Sequence, residues 1–290
     1  MMFRVIFMLG FLCSMVFASD FHVDLSSQTL TLGQVCRVIV KSPEPLTSYK
    51  LMFLGRSFKL VLVEKGEDMY RYESYVAASR SKASGEYMVK VDLRAKGMKR
   101  FYQQYKITLD HVNRLKKGRV ALTKKAKKIS KNKKAYRKEG RVIEKGFSAF
   151  TYKKRFTGPF LKPSVGRISS RFAKERLYNN GRVSSHAGVD ISNKIGTPVI
   201  SPENGVVVMG QRLTVHGNTI MLDHGMGVIS IFCHLHTMSV REGDVVAKGD
   251  MIGTIGRTGV VSGAHLHWGL SVQNVRVDPL HWLSKESLLF

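Results

Sequence analysis

The sequence predicts a mainly β protein in which two β domains flank a basic helical connector. Three observations carry this. The chain of 290 residues holds 26 glycines, which suggests many tight turns. Short alternating runs such as "QTLTLGQVCRVIV", "FKLVLVEKG" and "GEYMVKVDL" recur at about ten-residue spacing through the first third. Dense glycine-separated runs fill the last third, and between the two lies a lysine-rich segment with a helical apolar period. A hydrophobic content of 43% fits globular cores rather than disorder.

Residues 1–18 read as a signal peptide. Arg4 precedes an apolar run from Val5 to Phe17, and Val16 and Ala18 are small enough for the −3 and −1 positions of a cleavage site. The run is short for a membrane span, so no transmembrane span is expected after cleavage near Ser19. Leu12, directly before Cys13, is wrong for lipoprotein processing. Export to the periplasm or cell envelope, or secretion, follows as the expectation. Residues 19–109 read as a small β-sandwich. No constellation of ligands or nucleophiles stands out in it, so its expected role is placement or binding.

Residues 110–157 read as a basic helical linker, with Asp110 as candidate cap. Leu115, Leu122, Ile129, Tyr136 and Ile143 recur every seven residues in one narrow stripe, with Gly118 and Gly140 as weak points. A single stripe predicts a helix, broken or whole, that packs one edge on a domain rather than a coiled coil. The net charge is +26, and between His111 and Phe156 there are 18 Lys/Arg against two acids, Glu139 and Glu144. Such a run is either a solvated face or a surface drawn to an anionic partner. Export argues against nucleic acid, as does the lack of interleaved aromatics for base stacking. The remaining partners are anionic envelope polymers or the wall itself, reached through residues 111–156. Cys36 and Cys233 fall in different predicted domains, which leaves no disulfide within a domain.

Residues 158–290 read as one compact antiparallel β domain. Eight of the ten histidines lie between His186 and His281. In "HAGVD", His186 and Asp190 are four residues apart, an even spacing that keeps both on one face of an extended segment. "FCHLH" carries His234 and His236, and "AHLHW" carries His265 and His267 on one face with Trp268 on the other. A catalytic zinc takes three protein ligands and leaves a position open, and two histidines with one aspartate would supply them. Surplus imidazoles nearby suit the proton transfers of amide hydrolysis. His216, His224, His236 and His281 read better as ordinary core or surface residues.

Together these motifs resemble the lysostaphin/LytM-type zinc metallopeptidases of family M23, which cleave peptide cross-links in bacterial peptidoglycan. The family pattern is H-x-x-x-D, a middle Y-x-H-L and a terminal H-x-H; here they read "HAGVD", "FCHLH" and "HLH", in that order. The framework from Gly166 to Leu283 fits as well, through "GTPVISPENGVVV", "VREGDVVAKGDMIGTIGRTG" and "VDPL". The resemblance implies a LytM-type fold and Zn2+ held by His186, Asp190 and His267. It gives His234 and His265 to catalysis, with the split between them open, and Arg176 and Asn179 in "FAKERLYN" to the substrate groove. It implies peptidoglycan as substrate, with the D-alanyl–diaminopimelate cross-link ahead of glycine bridges. Phe232, Ala173 and Ala264 depart from a common tyrosine, glycine and proline; none is a ligand position.

Two other classes fit the residues less well. Some relatives have lost ligands and act as wall-binding regulators or amidase activators, whereas this chain keeps every one. The hairpins of "EGDVVAKGDMIGTIG" resemble biotinyl and lipoyl carriers, yet Lys248 lacks the flanks of a modified lysine, and a carrier explains neither export nor the histidine cluster.

Overall fold

The structure, a computed structural model, describes residues 21–110, 118–179, 181 and 183–284. Residues 1–18, expected to form a signal peptide, lie outside the described residues, as do His111 and Leu115. Nine strands come first: β1 (His22–Leu25), β2 (Thr29–Thr31), β3 (Val35–Ser42), β4 (Leu46–Phe53), β5 (Arg56–Phe58), β6 (Val61–Lys65), β7 (Tyr70–Ala77), β8 (Gly85–Ala95) and β9 (Phe101–Asp110). They make two sheets, ordered β1-β3-β7-β6 and β2-β9-β8-β4-β5. All neighbours are antiparallel except β2 and β9. Alternate residues such as Val38, Val40, Leu51, Phe53, Val89, Val91 and Leu93 are buried in one shared core, as the two-residue period of the strands dictates.

The basic segment contains β10 (Gly118–Val120), α1 (Lys124–Ser130) and α2 (Lys133–Phe147). Asp110 caps neither helix: it is the last residue of β9. Instead the Thr123 hydroxyl accepts from the Ala126 N–H at 3.2 Å, and the Asn132 amide oxygen accepts from the Ala135 N–H at 2.9 Å. These two local caps break the stripe into two helices. Leu122, before α1, packs on Ala126 and Tyr178. Ile143 and Phe147 of α2 pack on the large sheet described next. Gly146 allows this approach, since a Cβ there would lie 2.5 Å from Met221 Sδ.

The last part holds β11 (Arg167–Ser170), β12 (Glu175–Tyr178), β13 (Val183–Ser185), β14 (Val189–Ser192), β15 (Pro198–Ile200), β16 (Gly205–Leu213), β17 (Gly217–Asp223), β18 (Val228–Leu235), β19 (Val245–Val246), β20 (Met251–Thr254), β21 (Leu266–Val272) and β22 (Val275–Val277). An antiparallel sheet runs β11-β14-β21-β18-β17-β16-β19, with β22 beside β21. Its faces separate by residue parity. Ile220, Leu222, Val228, Phe232, Trp268 and Leu270 enter the main core. Met221, Ile229, Ile231 and Cys233 face α2. Both Cys36 and Cys233 are free, buried thiols.

That main core is continuous with the sandwich. Trp282 lies 5.8 Å from Tyr75 of β7, 5.7 Å from Phe156 and 5.0 Å from Phe160, centroid to centroid. Lys154 pairs with the buried Glu73 at 2.8 Å. Gln273 binds the Lys59 backbone through both ends of its amide. Among the described residues, no helix is long and apolar enough to cross a membrane.

Candidate metal centre and active site

Strand register assembles the site. β14 pairs with β21 so that Asp190 lies opposite His267, and β21 pairs with β18 so that His267 lies opposite Cys233. Paired residues share a face, so Asp190 and His267 lie on the face that α2 covers farther along. His186 enters from just before β14, through a turn in which Gly188 crosses against the Trp268 backbone. A Cβ there would collide with the Trp268 carbonyl oxygen. The glycine of "HAGVD" therefore lets His186 and Asp190 approach the strand carrying His267.

Three donor atoms converge. His186 Nε2 lies 3.0 Å from Asp190 Oδ1, His267 Nδ1 lies 3.0 Å from the same oxygen, and the two imidazole nitrogens are 2.9 Å apart. The Nδ1–H of His186 donates to the Arg171 carbonyl at 3.0 Å, which leaves Nε2 as a lone pair facing the cluster. Burial pushes the pKa of His186 down and that of His267 down to about 4, against the pull of Asp190. Burial alone would raise Asp190, but the bonds from His186 and His267 hold it well below the usual carboxylate range. Two neutral imidazoles and a carboxylate thus aim lone pairs at one point, which few protons can satisfy and a cation can.

Arg176, on β12, donates to Asp190 Oδ2 and to the Ser170 hydroxyl. It occupies the second carboxylate oxygen and leaves Oδ1 to the cluster. Asn179 is placed otherwise than expected. Its amide bonds with the N–H and C=O of Leu122, each at 3.3 Å, so it holds the connector and does not line the cavity beside the cluster. That cavity, of about 260 Å³, is lined by Arg176, Asp190, His234 and His265, with Gly118 and Val120 of β10 forming one wall.

His234 reaches the site by a device that alternation does not foresee. By parity it would follow Phe232 and Trp268 into the core. The β17–β18 ladder slips, however: Ile220 pairs with Phe232 but Asn218 with Leu235, one extra residue on β18. His234 takes φ 67° at this bulge. Its ring is thereby brought within 5.0 Å of His265 and 6.4 Å of His267, centroid to centroid. Bulges re-aim side chains in this way. Its Nδ1–H donates to the Thr258 carbonyl at 2.9 Å, and that of His265 to the Gly263 carbonyl at 2.9 Å. In each ring Nε2 is then the unprotonated nitrogen, and that of His265 lies 3.8 Å from Asp190 Oδ1. Burial, reinforced by His265 and His267, holds the pKa of His234 well below the usual imidazole range.

The other histidines have other partners. His224 is fully buried between the Asn204 carbonyl and the Ser230 hydroxyl, each at 2.8 Å. His216 pairs with Glu139 at 2.9 Å. Sequence reasoning did not single out Thr258 or Gly263, whose carbonyls hold His234 and His265, or the buried Glu139. The one available signal was Glu139 itself, an isolated acid in a run of lysines.

Ala173 has φ 61°, the left-handed region that glycine enters freely, so its departure from the family's glycine is a strained one. Residues 184–279 match the model of peptidase family M23. Over 118 residues the chain is 39% identical to the peptidoglycan DD-endopeptidase ShyA of Vibrio cholerae, covering 40% of this chain and 27% of that protein. Over 147 residues it is 33% identical to an uncharacterized metalloprotease of Haemophilus influenzae, covering 50% of this chain and 29% of that one. The chain thus spans less than a third of the length of these relatives. A Pseudomonas aeruginosa structure assigned to peptidase M23 shares the fold, with TM-score 0.61 and 23% identity over 85% of this chain and 93% of that one.

Proposed function

We propose that the chain is a zinc-dependent endopeptidase that hydrolyses peptide cross-links of peptidoglycan, with the D-alanyl–diaminopimelate bond as substrate. The observation that carries this reading is the convergence of His186, Asp190 and His267 at 2.9–3.0 Å beside two further imidazoles. Bonds of about 2.0–2.1 Å to a tetrahedral zinc set donor atoms about 3.3 Å apart, and the donor set is the one zinc hydrolases use. His186, Asp190 and His267 would hold the ion. Bound there, zinc supplies Lewis-acid polarisation of the scissile carbonyl and acidifies water.

The remaining steps belong to the protein. His234 and His265 present Nε2 atoms to the cavity, so one takes the proton of the attacking water and returns it to the leaving amine. The other faces the same space, where a proton taken up from solvent at its Nε2 would let it hydrogen-bond the developing oxyanion. Arg176 holds the Asp190 carboxylate in one orientation throughout. The curated relatives named as peptidoglycan DD-endopeptidases support this choice of substrate.

The same reading covers delivery and division of labour. Residues 1–18 direct export and are then removed, the sandwich of 19–109 places the peptidase part of 158–290, and the cationic 111–156 segment adsorbs to anionic envelope polymers. Digestion of purified sacculi followed by mass spectrometry of the released muropeptides tests the activity and identifies the bond. Monomeric stems released from D-alanyl–diaminopimelate dimers are expected, with loss on chelation and in His267→Ala. A His267→Ala protein that still releases them would overturn the assignment.

A further inference from the structure

Among its described residues, the basic connector contains one buried charge. Glu139, on the inner side of α2, is only 4% exposed. Its carboxylate accepts from three successive backbone N–H groups at the β16–β17 turn. Thr214 N lies 2.5 Å and Val215 N 2.9 Å from Oε1, and His216 N lies 3.3 Å from Oε2. The His216 Nδ1–H donates to Oε2 at 2.9 Å as well. A carboxylate is the side chain that can accept this many donors at once. Burial alone would raise its pKa, but the His216 bond and the backbone donors lower it instead, so it stays ionised.

The turn that Glu139 grips is joined to His234 at two points. The His216 carbonyl accepts the His234 backbone N–H at 2.9 Å, which pins the bulge residue with φ 67°. The Val215 carbonyl accepts from Val260 N at 2.8 Å, and Asn218 N donates to the Thr258 hydroxyl at 3.0 Å. Gly217 packs so closely on Thr258 that a Cβ there would collide with it. Thr258 in turn supplies the carbonyl that fixes the tautomer of the His234 ring. A left-handed residue in a bulge persists only where its surroundings over-determine it. Here the outermost restraint comes from the connector helix.

We propose that Glu139 is a positioning residue for His234. From α2 it fixes the 214–217 turn, and through that turn both the backbone and the ring of His234. The connector is then part of the peptidase site and not only a charged spacer. This rests on the reading that His234 takes part in proton transfer.

The test uses the full chain loaded with zinc, a purified D-alanyl–diaminopimelate-linked muropeptide dimer, and the variants Glu139→Ala, Glu139→Gln and Ile143→Ala. Glu139→Ala is expected to lower kcat at least tenfold with KM within twofold and zinc content unchanged. Ile143→Ala, which loosens the same helix without touching the turn, is expected to lower Tm but keep kcat within twofold. In ¹⁵N-resolved imidazole spectra, His234 is expected as the Nδ1–H tautomer in the wild type and as a mixture in Glu139→Gln. A folded Glu139→Ala with kcat within twofold overturns the proposal. So does an equal loss of kcat in Ile143→Ala, or an unaltered His234 signal in Glu139→Gln. If the wild type is inert on the dimer, the proposed function fails, and the His234 spectra still decide the role of Glu139.

Discussion

A histidine buried without charge leaves its mark on stability as well as on chemistry, and His224 shows this most simply. It lies away from the metal cluster, fully buried, bonded to Asn204 and Ser230. Burial pushes its pKa down to about 4. The unfolded imidazole titrates near 6.5. Between these values the unfolded chain binds more protons than the folded one, so stability rises with pH across that window. The contribution is full above about pH 6.5 and is lost by about pH 4, a fall on the order of 3 kcal/mol. Urea unfolding between pH 7 and 4 should show this as a dropping midpoint, with a flatter dependence in His224→Gln. Equal slopes in the two proteins would assign the effect to another group. Arg176 and Asn179 both lie in the segment expected to line the groove, yet one braces the Asp190 carboxylate while the other binds Leu122.

At the scale of elements, α1 and α2 have two unlike sides. Inward are Ala126, Glu139, Ile143, Gly146 and Phe147; outward are Lys124, Lys127, Lys128, Lys131, Lys133, Lys134, Arg137, Lys138 and Arg141. Among the described residues no ion pair is recorded for these outward cations. An adsorbing face of this kind releases counterions and weakens with salt, because the Debye length falls from about 10 Å at 0.1 M to about 3 Å at 1 M. Pelleting of the chain with sacculi should therefore decrease steeply between 0.05 and 0.5 M NaCl, taken as roughly a tenfold span across that screening range. Replacing Lys127, Lys128, Lys134 and Lys138 by glutamine should remove most of the adsorption while activity on soluble dimer persists. Salt-independent pelleting, or full retention by the variant, would remove these helices from wall binding. The seven-residue stripe that pointed to these helices was legible because apolar period is local. The break at Lys131–Asn132 was less so, since it depends on which of several polar residues wins as cap.

Taken as one molecule, the described residues of the sandwich and of the large sheet share one continuous core. Tyr75, Phe156, Phe160 and Trp282 interlock across the junction, and Glu73 is buried beneath Lys154 and Arg71. Breaking such a junction exposes large aromatic area and strands a buried carboxylate, so both parts should unfold together. Calorimetry of the wild type is expected to show a single transition, lowered as a whole in Trp282→Ala. A large-to-small change of this kind typically costs about 3–5 kcal/mol. Two separate transitions, with only the later one shifted, would show that the parts are independent.

What the sequence determined by itself was local. The two-residue alternation of the strands, the even spacing of His186 with Asp190 and of His265 with His267, and the order of the three motifs follow from neighbours along the chain. They sufficed to predict a mainly β fold and to single out His186, Asp190, His265 and His267; their roles, and the choice of His234, Arg176 and Asn179, came from the family resemblance. Only the tertiary structure decided what depends on distant partners. A one-residue slip between β17 and β18 turns His234 out of the core, because side-chain direction there is set by register and not by parity. Glu139 becomes a buried anchor because three donors of a turn 75 residues away need an acceptor, and Asn179 is diverted to Leu122 because β10 pairs beside β12. Pairing between strands and burial of charge are settled by the whole fold, and no short stretch of sequence carries them.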